Sequence, residues 1–175
     1  MAMGIDLMEW PFDPLVAVNA HLNVRGLGVR VEEYLVNVYG DSTSPLHKGA
    51  PTDRFVAQWR VRSPRVQALL DGGRAPAGGD VWSGVPCINA VDRQGGWLTS
   101  HSHDLARNEP KLAVAIPPRF VDMLEHRPEL AHAWRLATRE IFTSYLSRGY
   151  RIVDFRSGPD ADPGTYLLHA ADQGD

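Results

Sequence analysis

The feature that most constrains the fold is a long helical pattern that leads directly into a strand pattern. Pro128 stands at a favourable first helical position. Apolar residues then recur every three to four positions and form one helical stripe, which consists of Leu130, Trp134, Ala137, Ile141 and Tyr145. Arg148 and Gly149 supply the charge and the stop that typically end a helix, and the strand pattern YRIVDF follows at once. A helix joined directly to a strand indicates an α/β or α+β fold and argues against an all-β fold.

The chain divides into three stretches of different character. Residues 1–63 alternate strand, helix, strand, loop and strand. Residues 64–110 are rich in glycine and proline, carry only short apolar runs, and are predicted to form a connecting region. Residues 111–175 become regular again, with a strand (KLAVAIP), a short helix (RFVDMLEH), the long helix, and two further strands (YRIVDF and GTYLLHA).

Three finer expectations concern the first stretch. A helix is predicted over residues 15–25, and its 3–4 spacing places on one shared face Leu15, Val18, Leu22 and Arg25 or Gly26. Strand pairing is expected to stop or bulge at Pro11, because proline lacks a backbone N–H donor. The alternation in RFVAQWRV predicts a strand with one set of residues on a single face: Phe55, Ala57, Trp59 and Val61.

Composition bounds the class of protein. With 43% hydrophobic residues in 175, the chain can bury a core, so a globular protein is expected. The formal net charge of −3 gives no general attraction to nucleic acid or anionic membranes. Cys87 is the single cysteine, which excludes an internal disulfide and fits a reducing compartment. No apolar run is long enough to span a membrane, and the first residues lack the basic region of a secretory signal. The sequence therefore predicts a cytoplasmic protein.

Several side chains could carry chemistry, and each has a simpler structural interpretation. His101 and His103 have a spacing that two metal ligands can use, but no second pair matches it, so no metal site is predicted. Arg135 and Arg139, one helical turn apart, could clamp an anion, although a solvated helix face is the better expectation. Cys87 lies in an apolar run with no charged neighbour, so an inert buried thiol is expected.

The run RGLGVR superficially suggests a phosphate-binding glycine loop. A phosphate cradle requires backbone N–H groups at the start of a helix, whereas Gly26 and Gly28 end a helix and lead into a strand. We therefore expect these glycines to be helix stops, one of which supplies the left-handed residue.

The opening stretch resembles a known enzyme family. The order strand, Asn19, short helix, Leu27-Gly28, strand is similar to the C-terminal half of the GCN5-related N-acetyltransferase fold. The runs FDPL, NAHLN and PTDRF, and the later IPPRF and RGYRIVDF, resemble an uncharacterised, predicted acetyltransferase branch of that superfamily. The resemblance covers most of the chain. It implies an α+β fold, with the C-terminal half of a mixed acyltransferase sheet in residues 1–63 and a family-specific α/β extension, strand–helix–strand, in residues 111–175.

The resemblance also implies a site for an acyl-CoA co-substrate. In the family, the pantetheine arm lies between two splayed strands, and one wall of that cleft corresponds here to Trp10, Phe12, Asp13, Asn19 and Asn23. The glycine-rich loop that holds the pyrophosphate would precede Gly4, so the chain is expected to be truncated relative to the family. The tyrosine that many members use as the general acid is replaced here by Val24.

In the absence of that tyrosine, Tyr34, His21 or a water molecule could serve as the catalytic acid or base. As a lone helix histidine, His21 has the competing interpretation of an exposed or structurally satisfied residue.

Three functions stay open at this stage. The first is an acyl-CoA-dependent N-acyltransferase that moves an acetyl or succinyl group to a small amine or amino acid. The second is a non-catalytic fragment of such an enzyme. Its exposed sheet edge would need a partner chain or a second copy of itself. The third is a binding module built on the C-terminal strand–helix–strand unit.

Overall fold

The computed structural model describes residues 4–40, 51–72, 81–158 and 162–171. The polar loop expected after residue 40 lies largely outside these ranges. The strands are β1 (Leu7–Phe12), β2 (Arg30–Leu35), β3 (Arg54–Arg60), β4 (Asn89–Gln94), β5 (Trp97–His103), β6 (Lys111–Ile116), β7 (Tyr150–Arg156) and β8 (Gly164–Ala170). The helices are α1 (Ala17–Ala20), which continues as a π-helical segment (His21–Gly26), α2 (Pro64–Leu70), α3 (Phe120–His126) and α4 (Pro128–Ser147).

Six strands form one sheet in the order β1-β3-β2-β7-β8-β6, and β4 and β5 form a separate hairpin. Every strand pair in the large sheet is antiparallel. The α+β class is therefore confirmed, and the described sheet is antiparallel rather than mixed. The predicted strands and helices of residues 111–170 are also confirmed, including Pro128 at the first position of α4 and Gly149 in the left-handed region after it.

One face of the sheet carries an aromatic core beneath α4. Phe55 of β3 contacts Phe12, Tyr34, Phe142 and Tyr166 in edge-on arrangements, with ring centroids 4.7–5.6 Å apart. Edge-on packing is the favoured geometry of such rings and adds to the gain from burying them. The predicted inward face of β3 is confirmed for Phe55 and Ala57, which are fully buried.

Two largely buried ion pairs join α4 to the loops at the ends of β1 and β3. Arg135, whose side chain is only 2% exposed, donates two hydrogen bonds to Asp13, at 2.9 and 2.7 Å. One turn later, Arg139 donates two to Asp53, at 2.8 and 2.9 Å. The expectation of a solvated arginine face was wrong, because each guanidinium has a carboxylate that matches its planar pair of donors.

The helix after β1 is shorter and wider than predicted. Only Ala17–Ala20 is α-helical, and the π-helical segment that follows changes which side chains face the sheet. Asn23 and Val24 are buried there, whereas Val18 and Leu22 are 75% and 58% exposed. Leu15 is fully buried, so the prediction that it shares a face with Val18 and Leu22 was wrong. Gly28, with φ of +74°, is the left-handed residue between this segment and β2.

Pairing between β1 and β3 continues through Pro11, contrary to expectation. The N–H of Val61 donates to the carbonyl of Asp6, so the backbone polar groups of Asp6 point towards β3. Along a strand these groups point alternately to one side and the other. Pro11 is five residues further on, so its nitrogen points to the outer edge of β1, where no bond to β3 is lost. Strand β1 is an edge strand, and no described residue pairs with its outer edge.

The stretch predicted as a connecting region contains α2 and the β4–β5 hairpin. Its Pro86–Ile88 segment forms backbone hydrogen bonds with Ala113 at the edge of β6. The side-chain amide of Asn89 continues this pairing, because it bonds to both the N–H and the carbonyl of Ala115, each at 2.9 Å.

Cys87 is exposed, so the expectation of a buried thiol was wrong. The side chain that turns inward here is that of its neighbour Ile88.

Among the described residues, no helix combines the length and apolar character that a membrane span requires.

Replacing Arg135 with alanine should lower the free energy of unfolding by about 3 kcal/mol, because Asp13 would keep its half-buried charge without its main partner. Urea unfolding of the variant measures the loss. His132→Ala, an exposed change one turn earlier in α4, is the matched control and should shift stability by no more than about 0.5 kcal/mol. Equal effects of the two changes would contradict the anchoring role of Arg135.

Candidate functional site

A cleft of about 1020 Å³ lies along the outer side of α1 and the π-helical segment. Its other walls are the turn before α3 and the connection between β7 and β8. The lining residues include Val18, Leu22, Arg119, Phe120, Val121 and Ser157. The volume is at the upper end of the range for small-molecule sites, and mainly apolar walls with a few polar groups are typical of them.

The local sequence explains why this cleft is apolar. Val18 of α1 and Leu22 of the π-helical segment lie on the outside, where they face the cleft instead of the core. Pro117 and Pro118 end β6 and turn the chain, so that Val121 of α3 forms the facing wall. Exposed apolar side chains gathered at one place commonly mark a binding surface, and π-helical turns are frequent at functional sites.

Three kinds of polar group lie in this cleft. The Nδ1 atom of His21 is 3.3 Å from the hydroxyl of Ser157. Asp162 contributes a carboxylate from the β7–β8 connection. Arg119 is exposed, and its guanidinium carbon lies 5.1 Å from the centre of the Trp97 ring. The cleft therefore offers a base, an acid group and a cation next to apolar walls.

The structure places His21 and Tyr34 in different environments. His21 lines the cleft, whereas Tyr34 lies beneath α4 and donates a 2.7 Å hydrogen bond to Asp53. Burial, together with the neighbouring Asp53 carboxylate, raises the pKa of Tyr34 well above its ordinary value. A hydroxyl held in this way is a poor proton donor at neutral pH, so the geometry favours His21 of the two.

Asp53 has four donors around its carboxylate. Burial, the largest single influence, acts to raise the pKa of Asp53, but the hydrogen bonds from Arg139, the Asn37 N–H and Tyr34 outweigh it, and the pKa is lowered. Sequence reasoning did not single out Asp53 as important. The sequence signal for Asp53 is the run PTDRF, which entered the sequence analysis only through its resemblance to a family motif.

The residues predicted to contact a cofactor mostly make internal contacts. The indole N–H of Trp10 donates to Asn23 at 2.9 Å, and the Asn23 amide donates to the Asn19 carbonyl at 2.8 Å. Phe12 is buried in the aromatic core, and Asp13 is bound by Arg135. The half-buried side-chain amide of Asn19 makes no hydrogen bond to another described residue. Ligand contact by any of the five stays a prediction.

The histidine pair lies at the end of β5. His103 bonds to Glu140 of α4 at 2.9 Å, while His101 is exposed. Within the described part of the chain, no three histidine, cysteine or acidic side chains come together in a way that could hold a metal ion.

Comparisons with known proteins add no relatives. A scan against protein-family models gave no match, and neither did searches of curated sequences and of solved structures.

The buried carboxylate of Asp53 should make stability depend on acid pH. Its folded pKa is below the unfolded value of about 3.9, so its contribution is complete above that pH and is lost as the pH falls through the folded pKa. Asp53→Asn should therefore cost about 3 kcal/mol at pH 7, and the difference from wild type should shrink towards pH 2. Urea unfolding at several pH values measures both effects.

Asp71→Asn is the control for this experiment, because Asp71 is exposed at the end of α2. It should keep the pH profile of the wild type. A constant gap between wild type and Asp53→Asn from pH 7 to pH 2 would show that Asp53 is not the titrating group.

Proposed function

We propose that the protein is an acyl-CoA-dependent N-acyltransferase whose acyl-pantetheine arm lies in the cleft along α1. The observation that carries this proposal is the position of the cleft. The resemblance in sequence assigns the pantetheine side of the site to the helix after β1, and an apolar cleft of about 1020 Å³ runs along that helix. The open outer edge of β1 supports it further, since the resemblance places the cofactor beside that strand.

The proposed reaction is direct attack of an amine on the thioester carbonyl. A C–N bond forms, the C–S bond breaks, and the thiolate of CoA takes up a proton as the amine loses one. His21 would accept the proton of the amine, and its contact with Ser157 would orient the imidazole ring. Holding amine and thioester together would supply much of the rate. Acetyl and succinyl are the proposed acyl groups, a small amine or amino acid is the proposed acceptor, and the cytoplasm is the proposed location.

Binding is the first test. Calorimetric titration with acetyl-CoA and succinyl-CoA should give heat and a thermal shift for the wild type. Val18→Trp, which places a bulky ring in the cleft, should weaken binding about tenfold or more by narrowing the space for the arm. Leu136→Trp, an exposed position on α4, is the matched control and should bind as the wild type does. Absence of both heat and thermal shift in the wild type would sink the proposal.

Catalysis is tested separately by following release of the CoA thiol with a panel of amines and amino acids. His21→Gln should lower kcat about a hundredfold, the low end of the effect of losing a general base, while the affinity for acyl-CoA stays unchanged. His132→Gln is the control. An unchanged kcat in His21→Gln would remove His21 from the mechanism.

The second candidate is a non-catalytic member of the same family that needs a partner chain or a second copy. A specific observation favours it. Ile5, two residues before β1, is 59% exposed, and Leu7 and Met8 of β1 are 41% and 44% exposed. No described residue pairs with the outer edge of β1. An apolar open edge is a ready template for another strand.

Light scattering after size exclusion tests this second candidate. If β1 pairs between copies, the wild type should be a dimer and Leu7→Pro a monomer. Leu7 is four residues from Pro11, so its N–H points to the same outer edge of β1. Replacing it with proline therefore leaves the pairing with β3 intact. A monomeric wild type would exclude self-pairing of β1.

A further inference from the structure

A second, smaller cavity adjoins the cleft along α1. It has a volume of about 290 Å³ and lies between the β4–β5 hairpin and α3. Its lining includes Arg93 of β4, Trp97 and Leu98 of β5, and Met123 of α3. Pro118 and Arg119 line both this cavity and the larger cleft. The two spaces therefore meet at the turn between β6 and α3.

The two spaces differ in chemistry. The large cleft is walled mainly by aliphatic side chains, whereas the small cavity is lined by two guanidinium groups and an indole ring. None of the described residues that line the small cavity is acidic. Arg119 makes no ion pair with a described residue, and its guanidinium carbon lies over the Trp97 ring. A planar guanidinium stacked on an aromatic ring is well suited to bind phosphate.

We infer that Arg119 and Arg93 hold the phosphate end of an amphipathic ligand whose apolar part lies along α1. The ligand class is a phosphorylated amphiphile. The inference deepens the proposed function and rests on it only where the ligand is taken to be acyl-CoA. In that case the phosphates of CoA would be held by Arg119 and Arg93. Pro118 and Arg119 line both spaces, so a ligand that occupies both must carry its charged group next to its apolar part. This requirement would make the site selective for amphiphiles.

Arg119→Gln keeps a polar side chain with hydrogen-bond donors but is shorter and removes the charge. Binding of decyl phosphate, below its micelle concentration, should weaken about tenfold in this variant, whereas binding of the neutral decyl glucoside should not change. Arg93→Gln should act in the same direction, and Val18→Trp should weaken both amphiphiles alike. Arg127→Gln, exposed and outside both spaces, is the matched control.

Titration of the wild type with the same pair separates this inference from the proposed function. Tighter binding of decyl phosphate than of decyl glucoside, lost in Arg119→Gln, supports the phosphate site even if acetyl-CoA gives no heat. Equal binding of the two amphiphiles, no binding of either, or an undiminished preference for phosphate in Arg119→Gln overturns it. Thermal melting of each variant verifies that it is folded.

Discussion

The pairing of Arg135 with Asp13 and of Arg139 with Asp53 is the constraint on which the rest of the fold depends. These two arginines project from one face of α4, one turn apart, and each reaches a carboxylate next to a strand of the sheet. Asp13 follows β1, and Asp53 precedes β3. A single helix thus fixes the end of one strand against the start of its antiparallel neighbour. The cost of burying these charges is offset only because both oxygens of each carboxylate are bonded.

The same anchoring determines where a ligand can bind. With Asp13 held under α4, the chain turns directly into α1, and its continuation packs back on the sheet through the bond between Trp10 and Asn23. The inner side of this helix is therefore committed to the core, and its outer side carries exposed Val18 and Leu22. Asp13 and Asp53 both hold α4 against the sheet, and the proposed chemistry lies at other residues, His21 and Arg119.

Sequence reasoning was most successful where local signals agree. Helix α4 has a proline start, an apolar stripe and a glycine stop, and all three are found in the structure. It failed for α1, because a π-helical turn breaks the periodicity from which the shared face was inferred. The β4–β5 hairpin was missed although Gly95-Gly96, both with positive φ, is a two-residue turn signal. The ion pairs span more than eighty positions, and the cleft gathers three distant segments, so neither is visible in local patterns.

The central claim is that the cleft along α1 binds an acyl-CoA, and backbone NMR during titration with acetyl-CoA tests it most directly. The account predicts that amide resonances shift progressively for His21, Leu22 and Val121 along the cleft and for Arg119 at its junction with the smaller cavity. Residues on the exposed side of α4, such as His132, should stay unchanged. Absence of shifts at saturating acetyl-CoA, or shifts confined to segments away from these walls, would contradict it.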